Sequence, residues 1–304
     1  MQPGHLTDLT GQQVEAVNAL ATAVHSHDGL AAFDENTLLT LDRPGLPRYL
    51  TSDAGGALTG FAQVNDTSAE IAVHPDHRRR GLGAALVRAV LQGHPGVRLW
   101  AHGNLPAARA IAAANNLSIV RELWVMARPG PRPDEFAPVR VPEDVRVRTF
   151  EVGKDEDAWL RVNARAFADH PEQGGLELAD LQARQSQDWF DPETFWLAED
   201  AANGELLGSM WVKITGATPT SAGGTGEIYV LGVDPSAQGR GVGGLLTVVA
   251  MADFARRGLD RLELYVEADN APAIATYRRV GFDRDIVHVQ YTAEPPADHR
   301  VVSR

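Results

Sequence analysis

LGVDPSAQGRGVGGLL, residues 231–246, has a gapless counterpart in IAVHPDHRRRGLGAAL, residues 71–86. Val73 and Val233, Pro75 and Pro235, Arg80 and Arg240, Gly81 and Gly241, Gly83 and Gly243, and Leu86 and Leu246 coincide. An offset of 160 residues is the size of a domain, so the chain reads as a duplicated domain and not as a short solenoid repeat. In each copy an apolar strand runs into a glycine-rich turn and then into an apolar helix. Glycines let the backbone approach a ligand closely, and successive N–H groups at a helix N-terminus hold an anion without net charge. Arg240 adds a direct phosphate contact.

Outward from these loops, each copy reads as mixed α and β. In the second, VRVRTF at 145–150 is a strand, DAWLRVNARAF at 157–167 an amphipathic helix, and FWLAED, LLGSMWVKIT and EIYVLGV three more strands. After the loop come a helix to about Arg257, a strand at LELYVEA, a short helix at APAIATYRRV closed by Gly281, and a last strand at DIVHVQYT. The first copy repeats this order, ending in LSIVRELWVMA. Five prolines between 129 and 142 favour an extended connector. The expected division is therefore 1–128, a linker at 129–144, and 145–304.

The 304 residues carry 28 basic and 40 acidic side chains, a formal charge of −12, and no cysteine. Such a balance argues against a general nucleic-acid binder, and the missing thiols exclude disulfides, thiolate metal sites and a cysteine nucleophile. No basic leader with an apolar core and no long apolar span stands out, so a cytoplasmic protein is expected, with no metal, no membrane partner, and a monomeric state.

The loop spacing differs from G-x-G-x-x-G and from G-x-x-x-x-G-K-[ST]. It resembles the Q/R-x-x-G-x-G/A loop of the GNAT acetyltransferases, as RRRGLG at 78–83 and QGRGVG at 238–243, and ADNAPAIATYRRVGF at 268–282 continues that family's signature. The resemblance implies an α/β fold of two tandem GNAT domains, each a mostly antiparallel sheet flanked by helices. It also implies acetyl-CoA as co-substrate. In the second copy its contacts would be Leu231, Gly232, Val233, Gln238, Gly239, Arg240, Gly241, Val242, Gly243, Gly244, Asn270, Ala271, Pro272, Ala273, Ile274 and Ala275. In the first they would be Ile71, Ala72, Val73, Arg79, Arg80, Gly81, Leu82, Gly83 and Ala84.

Moving an acetyl group from a thioester to an amine needs a neutral amine, a stabilised oxyanion and a proton for the thiolate. Glu227, at the head of the strand feeding the loop, suits the base. Tyr277, seven residues after Asn270 where the GNAT pattern has its proton donor, suits the acid. The N–H near Val233 is the oxyanion donor that the family implies. In the first copy these positions become Thr67 for Glu227, Ala112 for Tyr277, Leu105 for Asn270 and Trp100 for Tyr265, so that copy is expected to bind CoA without catalysing.

AFADHPEQGG, DWFDPETFWLAE, the G-x-x-W-x-K strand at 208–213 and LYVEADN resemble the mycothiol synthase family over nearly the whole chain. The resemblance implies acetylation of the cysteine amine of a cysteinyl-glucosaminyl-inositol, with acceptor contacts at Glu35, Glu172, Lys213, Glu227 and Tyr265. Alternation puts Trp211 on the face of Lys213, where it could wall a sugar ring. His170 is expected to shape its loop. The alternatives are a tandem GNAT enzyme acting on another amine, such as an aminoglycoside or a protein N-terminus, and a non-catalytic CoA-binding module.

Overall fold

The structure, a computed structural model, describes residues 3–132, 135, 139–168, 173–216 and 223–293. Two compact units emerge, and they do not follow chain order. The first holds Met1–Trp124, Glu267–Ala271 and the chain from Ile286; the second holds Val125–Val266 and Pro272–Asp285.

In the first unit the elements are β1 (Gly4–Leu6), α1 (Gly11–Asp28), α2 (Glu35–Leu39), β2 (Arg48–Ser52), β3 (Leu58–Asn65), β4 (Ser68–Val73), α3 (Leu82–Gly93), β5 (Arg98–Ala101) and α4 (Pro106–Ala114). To these the unit adds the start of β6 (Ser118–Pro129) and most of β12 (Asp283–Thr292). Thr10 and Gln13 form a capping box at the head of α1, and Gly29 ends it in the left-handed region. The strands run in the order β1-β2-β3-β4-β5-β12. Neighbours are antiparallel except β4 and β5. Alternation along β3 sends Phe61 to a core with Val17, Leu20 and Phe33, and Ala62 and Val64 to another with Leu86 and Val90.

The last strand departs from the division at 129–144. Val289 and Tyr291 of β12 pair with Ala101 and Leu99 of β5 and are buried in the first unit's core. The alternating pattern of DIVHVQYT specifies a strand with an apolar face but leaves its partner open.

Within the second unit the order is β11 (Arg261–Glu267), β10 (Thr225–Val233), β9 (Leu206–Thr215), β8 (Phe195–Asp200) and β7 (Val145–Thr149). Its helices are α5 (Glu156–Ala166), α6 (Leu178–Gln185), α7 (Val242–Arg257) and α8 (Ala271–Arg279), the last belonging to this unit from Pro272. One face of the sheet buries Phe150, Trp159, Phe195, Trp211 and Val230. Phe195 and Trp211 stack with ring centroids 4.6 Å apart, and such aromatic pairs contribute about 0.5–1.5 kcal/mol beyond their burial.

Among the described residues each unit has a parallel strand pair whose register covers only part of its strands. Thr225–Ile228 of β10 align with Arg261–Leu264 of β11, and β10 runs on to Val233 beyond that register. In the first unit only Ser68 and Ala69 of β4 align with Arg98 and Leu99 of β5, and β4 continues to Val73. Both β10 and β4 lead toward a glycine loop. Among the described residues no helix is long and apolar enough to cross a membrane.

Candidate active site

In the second unit Glu227 faces Lys213 across the β9–β10 register and Glu263 across the β10–β11 register. Residues opposite one another in a sheet share a face, and so does the residue two further on. Lys213, Glu227, Glu263 and Tyr265 therefore project to one side, beside the point where β10 and β11 part. Tyr265 is 47% exposed there. The register shifts between Ile228 and Val230, so Tyr229 is an extra residue on β10. Its ring lies 5.6 Å from the Lys213 ammonium.

Tyr277 sits on α8, edge-on to Phe282, with ring centroids 6.0 Å apart. Burial pushes its phenol up to about 12. Glu172 and His170 lie outside the described residues. Glu35 is the first residue of α2 in the first unit, and the helix is capped by its neighbour Asp34, which accepts from the Thr37 N–H at 2.6 Å.

Trp211 corrects the alternation argument. It shares the face of Lys213 but is wholly buried, ringed by Trp159, Phe190, Phe195 and Tyr229. Helices and loops cover both faces of β9 there, so alternation alone could not tell a binding wall from a core. A second aromatic ring beside Lys213 is Trp189, whose centroid lies 4.6 Å from the ammonium. Sequence reasoning passed over it because DWFDPET reads as a loop without period.

The second glycine loop opens α7. Gly239 and Gly241 take φ of +81° and +79°, which L-residues adopt only with strain, and Gly241 is the N-cap. Asp234 fastens the approach by accepting from Ser236 and Arg165. Burial alone would raise the Asp234 carboxyl, but these bonds hold it below the ordinary range. Arg240 lies against Asp144 at 3.0 Å and Asp200 at 3.3 Å.

In the first unit a cavity of about 500 Å³ opens where β4 and β5 part. Ile71, Ala72, Val73, Arg79, Gly81, Leu82, Gly83 and Ala84 line it, together with Trp100, His102 and Ile111. Arg78 and Asp28 also line it, joined in a bidentate pair at 2.8 and 2.7 Å. Such a cavity, with a helix N-terminus at one end and apolar walls, suits an anionic head on an apolar arm.

A second group at this cavity was missed. His102 Nε2 lies 2.6 Å from Glu70 Oε1, and His102 Nδ1 lies 3.1 Å from His288 Nδ1. Glu70 also accepts from the Asp34 N–H at 2.8 Å. Its one sequence signal is a glutamate inside the otherwise apolar strand AEIAV.

Comparison with known proteins bears on the family and the fold. Residues 159–282 match the Acetyltransferase (GNAT) family, and residues 48–115 match an Acetyltransferase (GNAT) domain. A mycothiol acetyltransferase of Thermomonospora curvata is 46% identical, covering 95% of this chain and 96% of that protein. One of Cellulomonas flavigena is 48% identical over 97% of this chain and 90% of its own. Among solved structures, a tandem GNAT protein from the clavulanic acid biosynthesis pathway superposes with a TM-score of 0.65 at 21% identity, covering 97% of this chain and 99% of that one. A GCN5-related N-acetyltransferase from Sphaerobacter thermophilus gives 0.64 at 24%, covering 98% and 99%. GNAT acetyltransferases use acetyl-CoA. The chain belongs to the mycothiol acetyltransferase family of tandem GNAT enzymes.

Proposed function

We propose that the second unit transfers acetyl from acetyl-CoA to the cysteine amine of 1D-myo-inositol 2-(L-cysteinylamino)-2-deoxy-α-D-glucopyranoside, giving mycothiol. The observation that carries this reading is the shared face of Lys213, Glu227 and Tyr265 beside the parting strands. The acceptor is a cation with many hydroxyls. Carboxylates at Glu227 and Glu172 pair with its ammonium, while Lys213 donates to sugar or inositol oxygens. Glu35 is a further acceptor contact in this reading.

An α-amino group has an ordinary pKa near 7.7–8.0 and is mostly protonated at neutral pH. Glu227 takes that proton, directly or through water, and the freed nitrogen attacks the thioester carbonyl. The backbone N–H near Val233 receives the developing oxyanion. As the C–S bond breaks, Tyr277 gives its phenolic proton to the sulfur. One C–N bond replaces one C–S bond, and no redox step enters.

Acetyl-CoA in the first unit is held by the residues from Ile71 to Ala84 without turnover. Thr67 and Ala112 supply neither base nor acid where Glu227 and Tyr277 do in the second.

Acetylation of the cysteinyl-glucosaminyl-inositol, compared with an aminoglycoside and a peptide N-terminus, tests the assignment. We expect turnover on the first alone, with Glu227→Gln and Tyr277→Phe each lowering kcat roughly 10²-fold or more, the usual scale of general acid–base catalysis. Unchanged rates in both variants, or turnover only on another amine, would refute it.

A further inference from the structure

We propose that Trp189 and Tyr229 are positioning residues that clamp the Lys213 ammonium for a polyhydroxylated acceptor. The proposal rests on the reading of Lys213 as an acceptor contact. Three observations support it. Lys213 Nζ lies over the Trp189 ring at 4.6 Å and over the Tyr229 ring at 5.6 Å, both within the reach of a cation–π contact. The two rings are tilted by 54° with centroids 5.2 Å apart, so they form two walls of a corner and not a stack. The corner is itself fixed. Tyr229 is the bulged residue of β10, its hydroxyl accepts from Arg184 Nε at 2.9 Å, and Arg184 Nη1 donates to the Asp180 carbonyl at 3.0 Å within α6. Trp189 is braced against Trp211 at 5.7 Å.

A lysine side chain has several rotatable bonds and loses rotamer entropy when it binds. A ring face attracts the ammonium through its π electrons and fixes where the charge sits. The clamp thus settles the side chain in advance on the face it shares with Glu227. A ligand with hydroxyls near its amine gains from this; a bare amine does not.

The measurement is steady-state kinetics of the whole enzyme on the cysteinyl-glucosaminyl-inositol and on cysteine amide, which has the amine and no polyol. For Trp189→Leu we expect KM for the polyol acceptor to rise about tenfold, with kcat within twofold and the KM for acetyl-CoA unchanged. Cysteine amide kinetics should not move. Trp189→Phe, which keeps a π face, should restore most of the loss, and Trp189→Leu combined with Lys213→Ala should be no worse than Lys213→Ala alone. Equal losses on both acceptors, a fall in kcat, or additive effects in the double variant would overturn the clamp and leave Trp189 as packing. If Trp189→Leu fails to fold, Tyr229→Leu is read by the same criteria. Failure of the unaltered enzyme to acetylate the polyol acceptor would instead overturn the acceptor reading, and the clamp with it. Normal wild-type turnover with an indifferent Trp189→Leu overturns the clamp alone.

Discussion

A proton donor to a departing thiolate has to keep its proton until the C–S bond breaks. Burial pushes the Tyr277 phenol up to about 12, so the proton is in place throughout the neutral and mildly alkaline range. The wild-type rate should therefore show no fall from phenol ionisation below about pH 10. Tyr277→Phe should depress kcat by a similar factor at pH 7 and at pH 9.5. A pH–rate profile of both proteins checks this. An alkaline limb with an apparent pKa near 9 that disappears in Tyr277→Phe would mean that the phenol titrates far below the position its burial implies. Position along the chain, seven residues after Asn270 on a helix that follows a strand, is what singles out this tyrosine for the proposed role. Its desolvation was not legible in the sequence, because burial of one helical face depends on what the rest of the fold brings against it.

At the scale of elements, strand β10 and its loop were the most readable part of the chain. Glycines at Gly81, Gly239 and Gly241 adopt φ near +80°, and a strand, such a turn and an apolar helix in series allow few folds. Less readable were the bulge at Tyr229, hidden by an apparently regular alternation from 227 to 233, and the burial of Trp211 on both sides. Alternation assigns faces, but it does not say which face is covered. Gly208 shows how tightly β9 and β10 must fit where they feed the loop. A Cβ there would lie 2.7 Å from the Gly232 carbonyl oxygen and 3.3 Å from Val233 Cα, both backbone atoms. Gly208→Ala should destabilise the protein by about 1–3 kcal/mol, the usual cost of overpacking. It should also weaken acetyl-CoA binding, since the displaced backbone is that of Gly232 and Val233. At Gly244, in the first turn of α7, a Cβ meets nothing within 4 Å. Gly244→Ala should hold or raise stability by up to about 1 kcal/mol through helix propensity. Thermal unfolding of the two variants separates the cases; an equal change in both would show that the close β9–β10 contact does not set the cost at Gly208.

The whole chain is needed to assemble the buried ionisable chain of the first unit, since His288 comes from its last described strand and Asp34 from near its beginning. Gly103 N–H donates to His288 Nδ1 at 3.3 Å, so that nitrogen is an acceptor and His102 Nδ1 must donate to it. The second proton of His102, on Nε2, then faces Glu70. Burial works against a charged His102, but the charge and hydrogen bond of Glu70 outweigh it and raise its pKa. Burial and the neighbouring His102 push His288 down to about 4. Burial, followed by the charge of Glu70, pushes Asp34 up to about 7. The signs follow from linkage. Between about pH 4 and 7 folded Asp34 holds a proton that the unfolded chain has released, so its contribution to stability falls as pH rises. Neutral His288 contributes in the opposite sense between about pH 4 and 6.5, and the two offset each other. The contribution of His102 is complete below its ordinary value near 6.5 and is lost as pH rises through its raised folded value. Asp34→Asn keeps an oxygen for the Thr37 N–H but removes the ionisation, so it isolates one member. The melting temperature of Asp34→Asn relative to wild type should climb from pH 4 to pH 7 and level off above. A difference that stays constant across that range would show that Asp34 ionises normally in the folded protein, and that the carboxylate pair with Glu70 is not strained at neutral pH.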